Sequence, residues 1–177
     1  YNVTISENTA YYGGGLYTFS SNPTLTHLTI VNNTASNGGG MHVVGYMDGI
    51  TWYSTLTNSI IWGNSPESIF LYGGNFGFPN PIITYSDIEG DEIWEGEGNI
   101  NTNPLCKADY TLPDGSPCKD SGNPNLWLYD IDRTPSDMGA TGGLFAIPNF
   151  TAFDYGVVGD FVSSTQFTLF SYRETPI

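Results

Sequence analysis

The groups that could do chemistry in this chain are few and unevenly placed. Four side chains are basic, Lys107, Lys119, Arg133 and Arg173, against 18 Asp and Glu in 177 residues. Abstracting a proton beside a carboxylate needs a base, often Lys or Arg, and a cation that neutralises the carboxylate. Residues 1–106 hold no Lys or Arg for either role. Glycoside hydrolysis needs two carboxyl groups about 5–9.5 Å apart. Residues 1–80 contain only Glu7, Asp48 and Glu67, whose offsets share no register with the repeat described below. His27 and His42 could titrate near neutral pH. However, His27 falls on Asn2, Asn58 and Tyr85 when the repeats are aligned, and His42 falls on Tyr17. Slots so tolerant read as exposed strand positions, and no catalytic residue is expected.

The densest charge is the stretch Asp87, Glu89, Asp91, Glu92, Glu95 and Glu97, followed by the smaller group Asp130, Asp132 and Asp137. Calcium takes six to eight oxygen ligands, which carboxylates, Asn side chains and loop carbonyls can supply. Calcium is therefore the one cofactor the sequence points to, with Asp87, Glu89, Asp91, Asp130, Asp132 and Asp137 as candidate ligands. The spacing matches neither an EF-hand loop nor a nonapeptide calcium repeat, so a solvated acidic loop is the competing reading. Cys106 and Cys118 are too few for a structural zinc site. In an exported chain they read as a disulfide, its loop turned by Pro113, Gly115 and Pro117.

Net charge is −14, which repels phosphate backbones and anionic membranes, so nucleic acid is excluded as a partner. No run of about 18 apolar residues exists for membrane insertion. No signal-peptide pattern is read at the start and Tyr1 falls mid-pattern, so a mature chain or a piece of a longer one is expected. Aromatics make up 15% of the residues, more than disordered segments carry.

Internal repetition is the strongest signal. A shift of 25 residues pairs Thr4, Ile5, Asn8, Thr9, Ala10 and Gly13–Gly15 with identical residues at 29, 30, 33, 34, 35 and 38–40. A shift of 31 pairs Thr24-Leu25-Thr26 with Thr55-Leu56-Thr57, Ile30 with Ile61 and Asn33 with Asn64. A divergent fourth copy starts at Asn80-Pro81. Short runs such as His27-Leu28-Thr29-Ile30 alternate polar and apolar, the period of a strand with one buried face. A unit of this length cannot bury its apolar face alone, and stacked units can. Stacking places Asn8, Asn33 and Asn64 in one column, where their amides can hydrogen-bond along the axis. It also leaves a first unit, with Val3, Ile5, Leu16 and Phe19, as an uncovered end open to head-to-tail association.

Asn-Thr-Ala before Gly-Gly-Gly, then Asn-Pro-Thr-Leu-Thr leading into Ile-Val-Asn-Asn, resembles the parallel β-helix repeats of secreted and cell-surface bacterial proteins. It is similar to the repeats of polymorphic outer-membrane proteins. Ile83–Gly90, Asn103-Pro104-Leu105 and Asp137-Met138-Gly139-Ala140 resemble the closing region of that group, which often precedes a C-terminal anchoring or sorting domain. Cys106 departs from it, standing where an aromatic is usual. The fold expected is all-β: a right-handed parallel β-helix of about four coils over 1–90, an irregular, disulfide-stapled closing region over 91–143, and a β-rich segment over 144–177. The expected role is non-enzymatic, a structural or adhesive module at the cell surface. It would hold on to itself, a larger assembly or a glycan, with Tyr11, Tyr12, Tyr17, Tyr46, Trp52, Tyr53 and Trp62 available to stack on sugars. The alternative is part of a polysaccharide lyase or glycoside hydrolase of the pectate-lyase-like class, with its catalytic residues outside this chain.

Overall fold

A computed structural model describes residues 1–46, 51–73 and 79–146. Residues 1–146 form one compact unit. The segment expected to be β-rich at 144–177 lies outside the described residues from 147 onward. Ten short strands alternate with tight turns: β1 Val3–Ser6, β2 Leu16–Phe19, β3 Thr24–Thr26, β4 Leu28–Val31, β5 Met41–Val44, β6 Thr55–Thr57, β7 Ile60–Trp62, β8 Ile69–Tyr72, β9 Ile82–Thr84 and β10 Asp87–Ile88. Among the described residues, the only helical element is a single 3-10 turn at Leu126–Leu128.

The strands form three parallel sheets, β1-β4-β7-β10, β2-β5-β8 and β3-β6-β9, which the chain visits in the same order on every pass. Register follows the sequence repeat. Ile5 pairs with Ile30, Ile30 with Ile61, and Ile61 with Ile88. Leu25, Leu56 and Ile83 form a second such column. Apolar side chains from all three sheets meet in one buried cluster, among them Leu28, Ile30, Val43, Leu56, Ile61 and Ile83. Each such side chain contributes about 1.5–3 kcal/mol when fully withdrawn from water.

Corners need backbone that turns sharply. Gly13 and Gly38 take φ of 59° and 65°, and a Cβ on Gly14 would stand 2.6 Å from the carbonyl oxygen of Gly39, so only glycine lets these turns stack. Elsewhere Asn2, His27, Asn58 and Tyr85 occupy one left-handed corner column, at φ of 49° to 55°. His27 is therefore a corner residue and not an outward strand residue.

Two polar ladders run along the stack. Asn8 donates through its backbone N–H (2.9 Å) and Nδ2 (3.0 Å) to Oδ1 of Asn33. Asn33 does the same to Oδ1 of Asn64. Their amides also donate to strand carbonyls, Asn33 to Ile5 and Asn64 to Ile30. A second ladder has no counterpart in the sequence reading. The N–H of Leu28 donates to Ser59 Oγ, that of Ser59 to Ser86 Oγ, and that of Ser86 to Asn99 Oδ1.

The remaining chain covers two surfaces. Residues 97–100 pair beyond β10, Ile88 donating to Ile100 and Tyr85 to Glu97, while Trp94 packs on the core. That end is closed. Residues 101–142 then lie over the outer face of the first sheet, where Val31, Ile60, Cys118 and Met138 form a second buried cluster. All four residues of β4 are consequently buried, which corrects the expectation of one buried face. Thr29 is enclosed with its hydroxyl accepting from Ala140 N–H. The open end also differs from expectation. Ile5 and Leu16 flank the core, but Phe19 belongs to the outer face of the second sheet.

Candidate functional site

The second sheet alternates sharply. In β2, Leu16 packs on the core and Thr18 is buried, while Tyr17 and Phe19 are exposed. Register carries this pattern across the sheet: Tyr17, His42 and Phe70 form one column, and Phe19, Val44 and Tyr72 the next. Tyr11 and Tyr12 join from the preceding turn, their rings 4.5 Å apart. Tyr12, Tyr17 and Phe70 surround the His42 ring edge-on at 5.0, 5.4 and 5.0 Å, and Phe19 stacks on Tyr46 at 6.1 Å. Tyr11, Tyr12, Tyr17, Phe19, Tyr46 and Tyr72 are all exposed. Large exposed aromatic patches on soluble domains mark interaction surfaces, and Tyr suits them because one ring offers an apolar face and a polar tip.

His42 itself is only 4% exposed, which corrects its reading as an exposed position. Burial lowers its pKa, against the opposing influence of the Asn37 backbone and the charge of Glu67. The ring is therefore neutral at pH 7 and serves as a spacer among its aromatic neighbours. Lys107, Lys119 and Arg133, the basic side chains among the described residues, all lie in the segment over the first sheet. Among the described residues, the aromatic face thus carries no Lys or Arg.

Of the other aromatics singled out by sequence, Tyr53 is exposed but not part of this face, while Trp52 and Trp62 are half-buried. Trp62 packs against the second cluster. The sequence reading missed Phe19, Phe70 and Tyr72 as members of the face. Their signal was there, since Tyr17-Thr18-Phe19 and Phe70-Leu71-Tyr72 alternate in the same phase.

His27 is buried at 2% exposure because the distant closing segment covers it. Its Nε2 lies 2.8 Å from Ser136 Oγ and 3.1 Å from Asn58 Nδ2. Burial brings its pKa down to about 4, so the imidazole is a neutral member of a structural network. The candidate calcium ligands do not converge, and among the described residues no three His, Cys, Asp or Glu side chains are placed to hold a metal ion. Their oxygens are engaged locally. Asp87 accepts from Thr102 N–H and the Cys118 thiol, both at 3.1 Å. Glu89 accepts from Gly63 N–H at 2.6 Å, Asp130 from the N–H groups of Asp137 and Gly143, Asp132 from Thr134, and Asp137 from Asp120. Asp91 is exposed.

Cys106 and Cys118 are free thiols and not a disulfide. Cys118 is fully buried and spends its S–H on Asp87. Burial, then the charge of Asp87, pushes both thiols up, so neither favours the thiolate that disulfide chemistry requires. Denatured, unreduced protein is expected to titrate two thiols, and native protein to react at half-exposed Cys106 well before Cys118. A titre of zero after denaturation without reductant would restore the disulfide. Compared with family models, curated proteins and solved structures, the chain matches none.

Proposed function

We propose that this chain is a right-handed parallel β-helix module of a secreted or cell-surface bacterial protein, and that it works by adhesion and not by catalysis. Its three parallel sheets, visited in constant order with every repeat in register, support the β-helix reading. The observation that carries the adhesive role is the set of exposed rings, Tyr11, Tyr12, Tyr17, Phe19, Tyr46 and Tyr72, that flank buried β5 on the outer face of the second sheet. Pyranose rings present C–H faces that stack on aromatic rings and hydroxyls that meet Tyr oxygens, so a glycan is the ligand this face suits. The edges of β1, β2 and β3, which no other described strand pairs with, form a second contact surface for further parallel strands, from a longer chain or from another subunit of the assembly.

The test is retention on immobilised polysaccharides, with wild type compared to the paired variant Tyr17→Ala, Tyr72→Ala. Both side chains are about half exposed, so stability is expected to stay within about 0.5 kcal/mol of wild type, while retention is lost. Recovered glycan is expected to keep its original length. New reducing or unsaturated ends that disappear on mutating one acidic residue of this chain would replace adhesion with catalysis.

A further inference from the structure

Resting on that reading, we infer that the aromatic face takes a neutral polysaccharide and discriminates against uronate, sulfated and phosphate-bearing glycans. Three observations carry this. First, an anionic sugar brought to a surface loses hydration that only a nearby cation or donor cluster can replace. Tyr11, Tyr12, Tyr17, Phe19, Phe70 and Tyr72 offer hydroxyls and ring faces, and His42 in their midst is buried and uncharged. Second, the charge of Glu67 acts on His42, and its carboxylate is held in place by the N–H of Gly38. Within a chain of net charge −14, this gives the approach to the face a negative potential that repels anions within about 8 Å at physiological salt. Third, the face is an open sheet surface. Two cavities, of about 780 and 580 Å³, lie elsewhere, against residues 63–69 with 88–95 and beneath residues 103–110. A small sugar on an open face buries one side only, and small-molecule sites are normally concave. The face therefore suits a polymer, in which many weak contacts act together.

The experiment is affinity electrophoresis of the full chain through gels holding a neutral β-glucan, a neutral mannan, polygalacturonate or a sulfated glycan, each at low and at high salt. Retardation is expected in at least one neutral gel, nearly independent of salt. The Tyr17→Ala, Tyr72→Ala variant is expected to bind about tenfold more weakly, from the loss of two aromatic contacts. The anionic gels are expected to leave wild type unretarded at low salt. Tyr11→Lys, which puts a cation on the most exposed ring position of the face, is expected to gain retardation in the anionic gels that salt abolishes. Equal or stronger retardation of wild type by polygalacturonate or sulfated glycan overturns the neutral-ligand inference and leaves the adhesive reading standing. No retardation in any gel overturns both. Retardation unchanged in the double alanine variant also overturns the inference, because the glycan then binds somewhere other than this face.

Discussion

Asn33→Ala is expected to lower the stability of the folded unit by about 3 kcal/mol, and Asn8→Ala, one repeat away in the same column, by less than about 1 kcal/mol. The difference comes from position in the ladder. Asn33 is fully buried. Its Oδ1 takes both the backbone N–H and the amide of Asn8, and its Nδ2 donates to Ile5, Val31 and Asn64. Truncation leaves the Ile5 carbonyl and the Asn8 N–H without these partners and opens a small void beside the core. A buried polar group left unpaired costs about 1–3 kcal/mol. Asn8 is exposed; its truncation frees the Ser6 carbonyl at an exposed contact, while Asn33 Oδ1 keeps the backbone N–H of residue 8 as a donor. Denaturant midpoints of the two variants measure this directly. Equal shifts would mean that the Asn column is incidental to the stacking.

That column illustrates what can be read in the sequence and what cannot. Identities at a shift of 25 place Asn8 on Asn33, and parallel pairing of strands with that same offset brings the two amides together. Local alternation likewise separates Leu16 from Tyr17 in β2. The second layer leaves no such trace. His27 and Asn58 are buried by Ser136, 109 and 78 residues away in the chain, and nothing near position 27 announces that cover. The column Asn2, His27, Asn58, Tyr85 did contain a clue, because Asn tolerates the left-handed backbone a corner requires. Variety at a slot was read as exposure when it reflected a shared turn. Serine at 59 and 86, opposite Leu28, marked the inner ladder. It interrupts the apolar pattern of that column because its partners are backbone N–H groups of the neighbouring repeats. The acidic residues misled in the opposite direction. Composition made them candidate ligands, whereas in the fold Asp87, Glu89, Asp130, Asp132 and Asp137 are engaged by nearby N–H, O–H or S–H donors and Asp91 is exposed.

The carboxylates over the first sheet should make the protein more stable as the solution is acidified from neutrality. Asp87 is fully buried in β10, with the Cys118 thiol and Thr102 N–H as donors and, among the described residues, no cation paired with it. Burial raises its pKa to about 6, and burial also raises Asp137 to about 6. A carboxyl with a raised folded-state pKa holds its proton more tightly in the folded state than in the unfolded chain. Its stabilising contribution is fully present below about 4 and is lost as pH rises through about 6. Exposed Asp109 and Asp132, lowered mainly by hydrogen bonds from Thr111 and Thr134, act in the opposite sense. Stability is therefore expected to climb between pH 6 and about 4 and to fall below that. Relief of repulsion within a chain of charge −14 pushes the same way on acidification, so the slope alone does not identify Asp87. Asp87→Asn does. It keeps an oxygen for Thr102 N–H while removing the buried charge, so it is expected to gain about 2 kcal/mol at pH 7 and nothing at pH 4. Its stability profile should be flatter than wild type through the pH 4–6 window. Urea denaturation of both proteins at half-unit pH steps gives the two curves. If the variant runs parallel to wild type throughout, or is less stable at pH 7, Asp87 is not the titrating group and its carboxylate charge is compensated in the fold.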